Sequence, residues 1–219
     1  MEVRDLGVIE YEAGLRIQDE ALARVLREGL GAEILLVCEH PTVITVGRAL
    51  GAREDILAAG EIPVIEVSRG GRATLHLPGQ VVVYPIVNLR SRGQDLHQFL
   101  RLLEEAVIET LADFRIEAQA VPEKTGVWTR EMKKIASIGI AVKNGISYHG
   151  LALNVVCDLK VFSKLSPCGF NSNVMTSLME EMSGEYKKTW ALDPANLMKR
   201  VKARLAENLR DCLEDDSGT

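Results

Sequence analysis

Asn144-Gly145 separates two apolar, strand-like runs, residues 135–142 and 147–156, and no other feature limits the fold so tightly. Both residue types tolerate the left-handed backbone of a two-residue turn, so the runs are predicted to fold back on each other as antiparallel strands. Segments 73–77 and 81–87 flank Pro78-Gly79-Gln80, a second turn signal, and segments 34–38 and 43–46 flank Glu39-His40-Pro41. Residues 63–67 and 126–129 add further strand candidates. A helix is predicted over 14–29, where Leu15, Ala21, Leu22, Val25 and Leu26 recur at helical spacing. Another is predicted over 95–113, with Asp95 placed to cap it and Phe99, Leu102, Leu103, Ala106, Val107 and Leu111 on one face. Residues 174–182 and 194–214 also read as helices. Hairpins and helices mix without regular βαβ alternation, so the expected class is α+β: a mixed, largely antiparallel sheet flanked by helices. No repeat or low-complexity stretch divides the chain, and residues 1–219 are read as a single catalytic domain.

Charge and cysteine usage narrow the chemistry. A net charge of −5 argues against a general grip on nucleic acid. The four cysteines, at 38, 157, 168 and 212, form no C-x-x-C pair, which argues against a disulfide framework and a cysteine-rich metal site. The expected compartment is therefore reducing and cytoplasmic. Met1-Glu2-Val3-Arg4-Asp5 does not begin a secretory signal, and no apolar run reaches the ~20 residues that cross a bilayer, so no membrane association is expected.

Cys168 differs from the other thiols. It stands in Ser166-Pro167-Cys168-Gly169-Phe170, a loop context, whereas Cys38 and Cys157 lie in the apolar runs Leu36-Val37-Cys38 and Val155-Val156-Cys157. Arg69-Gly70-Gly71-Arg72 can bring backbone N–H groups close to a ligand, although a plain turn with solvated arginines fits the same residues. Beyond it, Thr74 and His76 share one strand face, opposite Leu75 and Leu77. Tyr84-Pro85 is expected to end or bend the following strand, with Tyr84 lining a pocket or filling core. Lys133 and Lys134 precede a strand and point to opposite sides, so one can face a pocket while the other faces water; a solvated pair is the plainer alternative. A lysine ammonium near a thiol favours the thiolate, so a thiol, a lysine and a Gly-rich loop suggest acyl transfer through a thioester. His149 could pair with Cys168 instead, or could form a pocket wall.

Taken together, these segments resemble the octanoyltransferases of protein lipoylation. The resemblance rests on Arg69-Gly70-Gly71 with Thr74, His76, Pro78-Gly79-Gln80 and Tyr84-Pro85; on Lys133-Lys134-Ile135-Ala136-Ser137-Ile138-Gly139; on His149-Gly150-Leu151-Ala152-Leu153-Asn154; and on Pro167-Cys168-Gly169. Glu39-His40-Pro41 and Lys124-Thr125-Gly126-Val127-Trp128 fit the same pattern. The chain departs from it in having Arg72-Ala73 where Gln-Val is frequent, and Leu77 where Gly is usual.

The resemblance implies a fold like that of biotin and lipoate protein ligases. It implies transfer of an octanoyl or lipoyl group from acyl carrier protein to a lysine of a lipoyl domain or glycine-cleavage H-protein, with no cofactor or metal beyond the carrier's phosphopantetheine. It makes Cys168 the acyl-thioester nucleophile and Lys134 its activator. It makes Arg69, Gly70, Gly71, Arg72, Ala73, Thr74, Leu75 and His76, then Ser137, Ile138 and Gly139, then Gly150, Leu151 and Ala152, the substrate-binding walls. Both protein partners would be acidic, so docking is expected to use a local basic patch drawn from Arg48, Arg53, Arg69, Arg72, Lys133 and Lys143. The enzyme is expected to act as a monomer. Three alternatives predict different outcomes: an ATP-dependent lipoate or biotin ligase indifferent to loss of Cys168, a Cys-His thioesterase or protease dependent on His149, and a non-catalytic binding module.

Overall fold

The architecture follows from where the apolar residues fall along each strand. A computed structural model describes residues 1–93, 95–166 and 174–215. The strands are β1 (Glu2–Val8), β2 (Ile34–Glu39), β3 (Val43–Val46), β4 (Val64–Glu66), β5 (Ala73–His76), β6 (Gln80–Ile86), β7 (Ala118–Val121), β8 (Lys124–Thr129), β9 (Lys134–Lys143) and β10 (Ile146–Asn154). The helices are α1 (Tyr11–Glu28), the short α2 (Leu89–Arg92), α3 (Leu96–Asp113), the short α4 (Leu178–Glu181), α5 (Gly184–Ala191) and α6 (Pro194–Asp215). Among the described residues, one sheet runs in the order β1-β2-β6-β10-β9-β8-β7 and a smaller one in the order β4-β3-β5. Only β1–β2 and β3–β4 pair in parallel, so the sheets are mixed and largely antiparallel, in agreement with the expected α+β class.

Alternation along β6 and β10 creates two layers. Val81, Val83, Leu151 and Leu153 face one way and pack with Phe99, Leu103 and Val107 of α3 and Leu205 and Leu209 of α6. Val82, Tyr84 and Ala152 face the other way, where Leu22 and Val25 of α1 meet them. Ile44 and Leu75 of the small sheet pack on Phe162 and Leu165, in and just after a 3-10 turn at Leu159–Lys164. Asp95 caps α3 as expected, its carboxylate accepting the Gln98 N–H at 2.8 Å.

Four expectations change. Strands β1 and β7 lack apolar alternation because they form the two edges of the large sheet, β1 mostly exposed and β7 mostly half-buried. The buried stripe of α1 is Tyr11, Gly14, Gln18, Leu22 and Val25, leaving Leu26 in solvent, because the N-terminal half of the helix meets polar side chains rather than core. Within 174–182 only α4 is helical; Met175 bridges Lys134 and Thr176 donates its N–H to the Lys134 carbonyl at 3.0 Å, which holds that stretch extended.

Tyr84-Pro85, finally, neither ends nor leaves β6. The β6–β10 ladder runs from Gln80↔Asn154 to Val83↔Leu151 and lapses beside the proline, which has no N–H to give. The Pro85 carbonyl accepts the Ser147 hydroxyl at 2.7 Å instead, and His149 opposite takes a left-handed backbone, φ +57°. A Cβ on Gly150 would lie 2.0 Å from the Val83 carbonyl oxygen, so only glycine fits there.

Candidate active site

A cavity lies between the large sheet and the small one, and strand register builds its floor. Ser137 pairs with Ala152 and Gly139 pairs with Gly150, so four small residues on adjacent strands form a trough. Val82 and Tyr84 of β6 continue the same face. The opposing wall is the Gly-rich loop and β5: Arg69, Gly71, Arg72, Ala73, Thr74 and His76. Phe162, Leu165 and Met175 close the side toward Lys134. Ile138 and Leu151 also reach the cavity, while packing mainly against the core behind it.

Lys134 is buried and lines this cavity, whereas Lys133 is exposed. Strict alternation would set Lys134 opposite Ser137 and Gly139, and the register shift between Val127↔Ala136 and Trp128↔Lys134 brings it to their side. The Lys134 ammonium lies 5.3 Å from the centre of the Trp128 ring. Beneath it Gly126 has φ +115°, and a Cβ there would lie 2.8 Å from Lys134 Cε and 3.3 Å from Nζ. The Gly126 N–H is held by the buried Glu104 carboxylate at 3.0 Å. The chain thus fits its backbone around this lysine. Cys168, the expected nucleophile, lies outside the described residues.

The sequence profile of the lipoyl protein ligase A/B catalytic domain matches residues 10–206. An octanoyltransferase of Geobacter metallireducens is 47% identical over 178 residues, which are 81% of this chain and 82% of that protein. An octanoyltransferase of Geotalea uraniireducens is 40% identical over 215 residues, covering 98% of this chain and 94% of that one. The chain belongs to this family. Its fold superposes on the bi-partite lipoate protein ligase of Thermoplasma acidophilum with a TM-score of 0.70 at 19% identity, covering 98% of this chain and 84% of that one. The chain is an acyltransferase of the octanoyltransferase family on a lipoate-ligase fold.

In this octanoyltransferase the Gly-rich loop is braced from within. Arg69 is buried and donates from Nη2 to the Thr45 carbonyl and hydroxyl, each at 2.9 Å, and from Nη1 to the Gly70 and Arg72 carbonyls at 3.0 and 2.8 Å. Arg72 forks onto buried Asp55 at 2.8 and 2.7 Å. Neither is a solvated turn arginine: Arg69 is bonded to interior acceptors, and Arg72, part-exposed, also donates to the Leu50 and Gly51 carbonyls at 3.0 and 2.9 Å. Arg48, Arg53, Lys133 and Lys143 are the exposed members of the expected patch, and Arg53 is the one paired to an equally exposed carboxylate, Glu66 at 2.8 Å. Leu75 does not line the cavity: it alternates with Thr74 and His76 and turns into the core of the small sheet. Gly70 is not on the cavity surface either; its N–H is given to the Ile140 carbonyl at 2.9 Å.

Sequence reasoning missed Tyr11, whose ring stacks on His76 with centroids 5.5 Å apart and which also lines the cavity. Its signal was present, since Tyr11, Gly14 and Gln18 continue the helical spacing of Leu22 and Val25. Burial disfavours the charged form of the nearby histidines. His40 donates from Nδ1 to the Ile9 carbonyl at 2.8 Å, so its Nε2 accepts the Tyr84 hydroxyl at 2.7 Å. Burial pushes His40 down and His76 well down. Burial, with Arg69 and Arg48 adding, lowers His149 to about 4. His149 Nε2 lies 3.0 Å from the Ser68 hydroxyl, and its backbone N–H is given to Gln18 at 2.8 Å. Burial raises Cys38 and Cys157 to about 12, and Cys212 to about 11 with the Glu109 carboxylate adding. All three described thiols are thus held protonated.

No helix among the described residues is long and apolar enough to cross a membrane.

Proposed function

We propose that this octanoyltransferase moves an octanoyl or lipoyl group from acyl carrier protein to a lysine of a lipoyl domain or H-protein, through a thioester on Cys168. The observation that carries the reading is Lys134: a buried ammonium in a trough of small and apolar side chains, with the backbone shaped around it. An ordinary thiol, with pKa about 8.5, is only a few per cent thiolate at pH 7, and a cation within ~4–6 Å raises that fraction. The thiols at 38, 157 and 212 are all pushed the wrong way, which favours Cys168 as the nucleophile.

In the first half-reaction Cys168 thiolate attacks the octanoyl carbonyl. A new C–S bond forms, the carrier's C–S bond breaks, and the departing pantetheine thiolate takes up a proton. In the second, the acceptor lysine attacks as a free amine, the Cys168 C–S bond breaks, and the proton the amine sheds passes by way of Lys134 to the departing Cys168 thiolate. Thioester exchange is nearly balanced and amide formation is downhill, so no ATP or other cofactor enters. The trough holds the acyl tail, where ~0.8 kcal/mol per buried methylene gives about 5 kcal/mol for the chain. Arg48, Lys133 and Lys143, all exposed, supply the local positive charge that acidic partners would meet.

A Cys-His hydrolase reading is disfavoured by His149, which at about 4 is too weak a base to take a thiol proton at neutral pH. The test is intact-protein mass spectrometry after mixing with octanoyl-carrier protein, wild type beside Cys168→Ser and Lys134→Ala. One octanoyl group is expected on wild type, labile to hydroxylamine, absent from Cys168→Ser and at least tenfold slower to appear on Lys134→Ala. A folded wild type that gains no adduct from intact donor would sink the mechanism and favour the ATP-dependent reading.

A further inference from the structure

Three consecutive residues of one loop reach across the space between the sheets and attach to the same level of β9 and β10. Ser68 meets the His149 ring through its hydroxyl at 3.0 Å. Arg69 lays its stem over Gly139, where a Cβ would lie 3.1 Å from Arg69 Cδ. Gly70 gives its N–H to the Ile140 carbonyl at 2.9 Å. On the far side Arg69 is clamped against the small sheet: a Cβ on Gly47 would lie 2.8 Å from its Nη1, and Thr45 accepts its Nη2 twice. The trough therefore has an end. Lys134 lies toward one end of the lining, and Arg69 closes the trough over Gly139 at the other.

We infer that this wall is the ruler for acyl length, with the aliphatic stem of Arg69 on Gly139 as its stop. The inference rests on the proposed transfer in one respect only, that the acyl carbonyl sits at the Lys134 end. Lys134 to Gly139 is five residues of strand, at most about 17 Å at ~3.4 Å per residue, with the register shift beside Lys134 turning both toward the cavity. Contact distances of about 4 Å at each end leave roughly 9 Å. An extended eight-carbon chain, at ~1.3 Å of projected length per C–C bond, spans about the same. Ser137 and Ala152 lie along its course and leave room for methylenes, whereas a longer chain would drive its end into Arg69. Arg69 acts here through its shape and fixed position, since its fork is already bonded to backbone and Thr45.

Two variants move the stop in opposite directions. Arg69→Ala removes it, and Gly139→Ala adds a methyl group in front of it. The readout is the dissociation constant for hexanoate, octanoate, decanoate and dodecanoate by calorimetry, with initial rates of transfer from carrier protein loaded with the same chains. Wild type is expected to favour octanoate. Arg69→Ala should improve the dodecanoate-to-octanoate affinity ratio at least tenfold, and Gly139→Ala should lower the octanoate-to-hexanoate ratio at least threefold. If Arg69→Ala fails to fold for want of its bracing bonds, Gly139→Ala still decides, because the adverse shift toward short chains is not a property of a merely weakened protein. Length profiles of the same shape in folded variants and wild type would overturn the ruler. Binding with an eight-carbon optimum but no acyl transfer by wild type would instead defeat the transfer reading and leave the ruler standing.

Discussion

Gly150 carries a constraint that its neighbours do not. With the Val83 carbonyl oxygen 2.0 Å and Pro85 Cδ 2.8 Å from where a Cβ would sit, Gly150→Ala must push two strands apart. The expected cost is about 3 kcal/mol or more, read as a lowered urea midpoint with an unchanged slope. His149, one residue earlier, sets a pH dependence. Its folded value of about 4 lies below the unfolded value of 6.5, so the unfolded chain binds the extra proton between the two. Stability is therefore full above pH 6.5 and declines as pH falls toward 4, by about 3 kcal/mol for this residue. Buried His40 and His76 act in the same direction. His149→Asn, which tolerates the left-handed backbone, should flatten that part of the stability-versus-pH curve; denaturant titrations at pH 7, 5.5 and 4.5 would check it.

At the scale of elements, a chain of side-chain hydrogen bonds ties β5, β6 and β10 to the stretch that follows residue 173. Gln80 accepts from His76 at 3.3 Å and donates to the Leu75 carbonyl and to Asn154 at 3.1 and 3.0 Å. Asn154 donates to the Thr176 carbonyl at 2.8 Å, and Thr176 bonds the Lys134 backbone. All four side chains are buried, so Asn154→Ala orphans two interior groups and should cost about 2 kcal/mol by urea denaturation. Asp95→Ala, which removes only an exposed cap, should cost about 1 kcal/mol. A reversed order of these two values would contradict the clamp. Helix α3 and the β9–β10 hairpin were legible because their signals are local: an Asp followed by a regular apolar face, and Asn-Gly between strand-like runs. Strand β1 was not, since an exposed edge strand paired in parallel needs no apolar alternation of its own.

Across the whole molecule, one buried ion pair links the start of β2 to the far end of the chain. Glu33, just before β2, accepts the Asn88 N–H at 2.7 Å and Arg92 Nε at 3.1 Å. Arg92 also reaches the Leu213 carbonyl near the end of α6. Glu33 and Arg92 side chains are only 2% and 7% exposed, so removing one partner strands a charge in the interior. Arg92→Met should destabilise by roughly 3–5 kcal/mol, and Arg92→Met with Glu33→Leu by less than the single change, measured by thermal and urea unfolding. Equal losses in both variants would show that the pair is screened by solvent.

Residue types and their spacing were enough to determine the α+β class and the shared face of Thr74 and His76, and they set Lys133 and Lys134 on opposite sides while leaving open which of them is buried. Each of these follows from period-two alternation or a local turn, which a chain carries in its own order. Tertiary structure alone decided that Arg69 and Arg72 are internal braces, that Tyr11 joins the cavity from a helix at the start of the chain, and that Leu75 turns away from it. Those outcomes depend on which carbonyls, carboxylates and rings lie opposite across two sheets. That is set by how the sheets stack, and no window of neighbouring residues contains it.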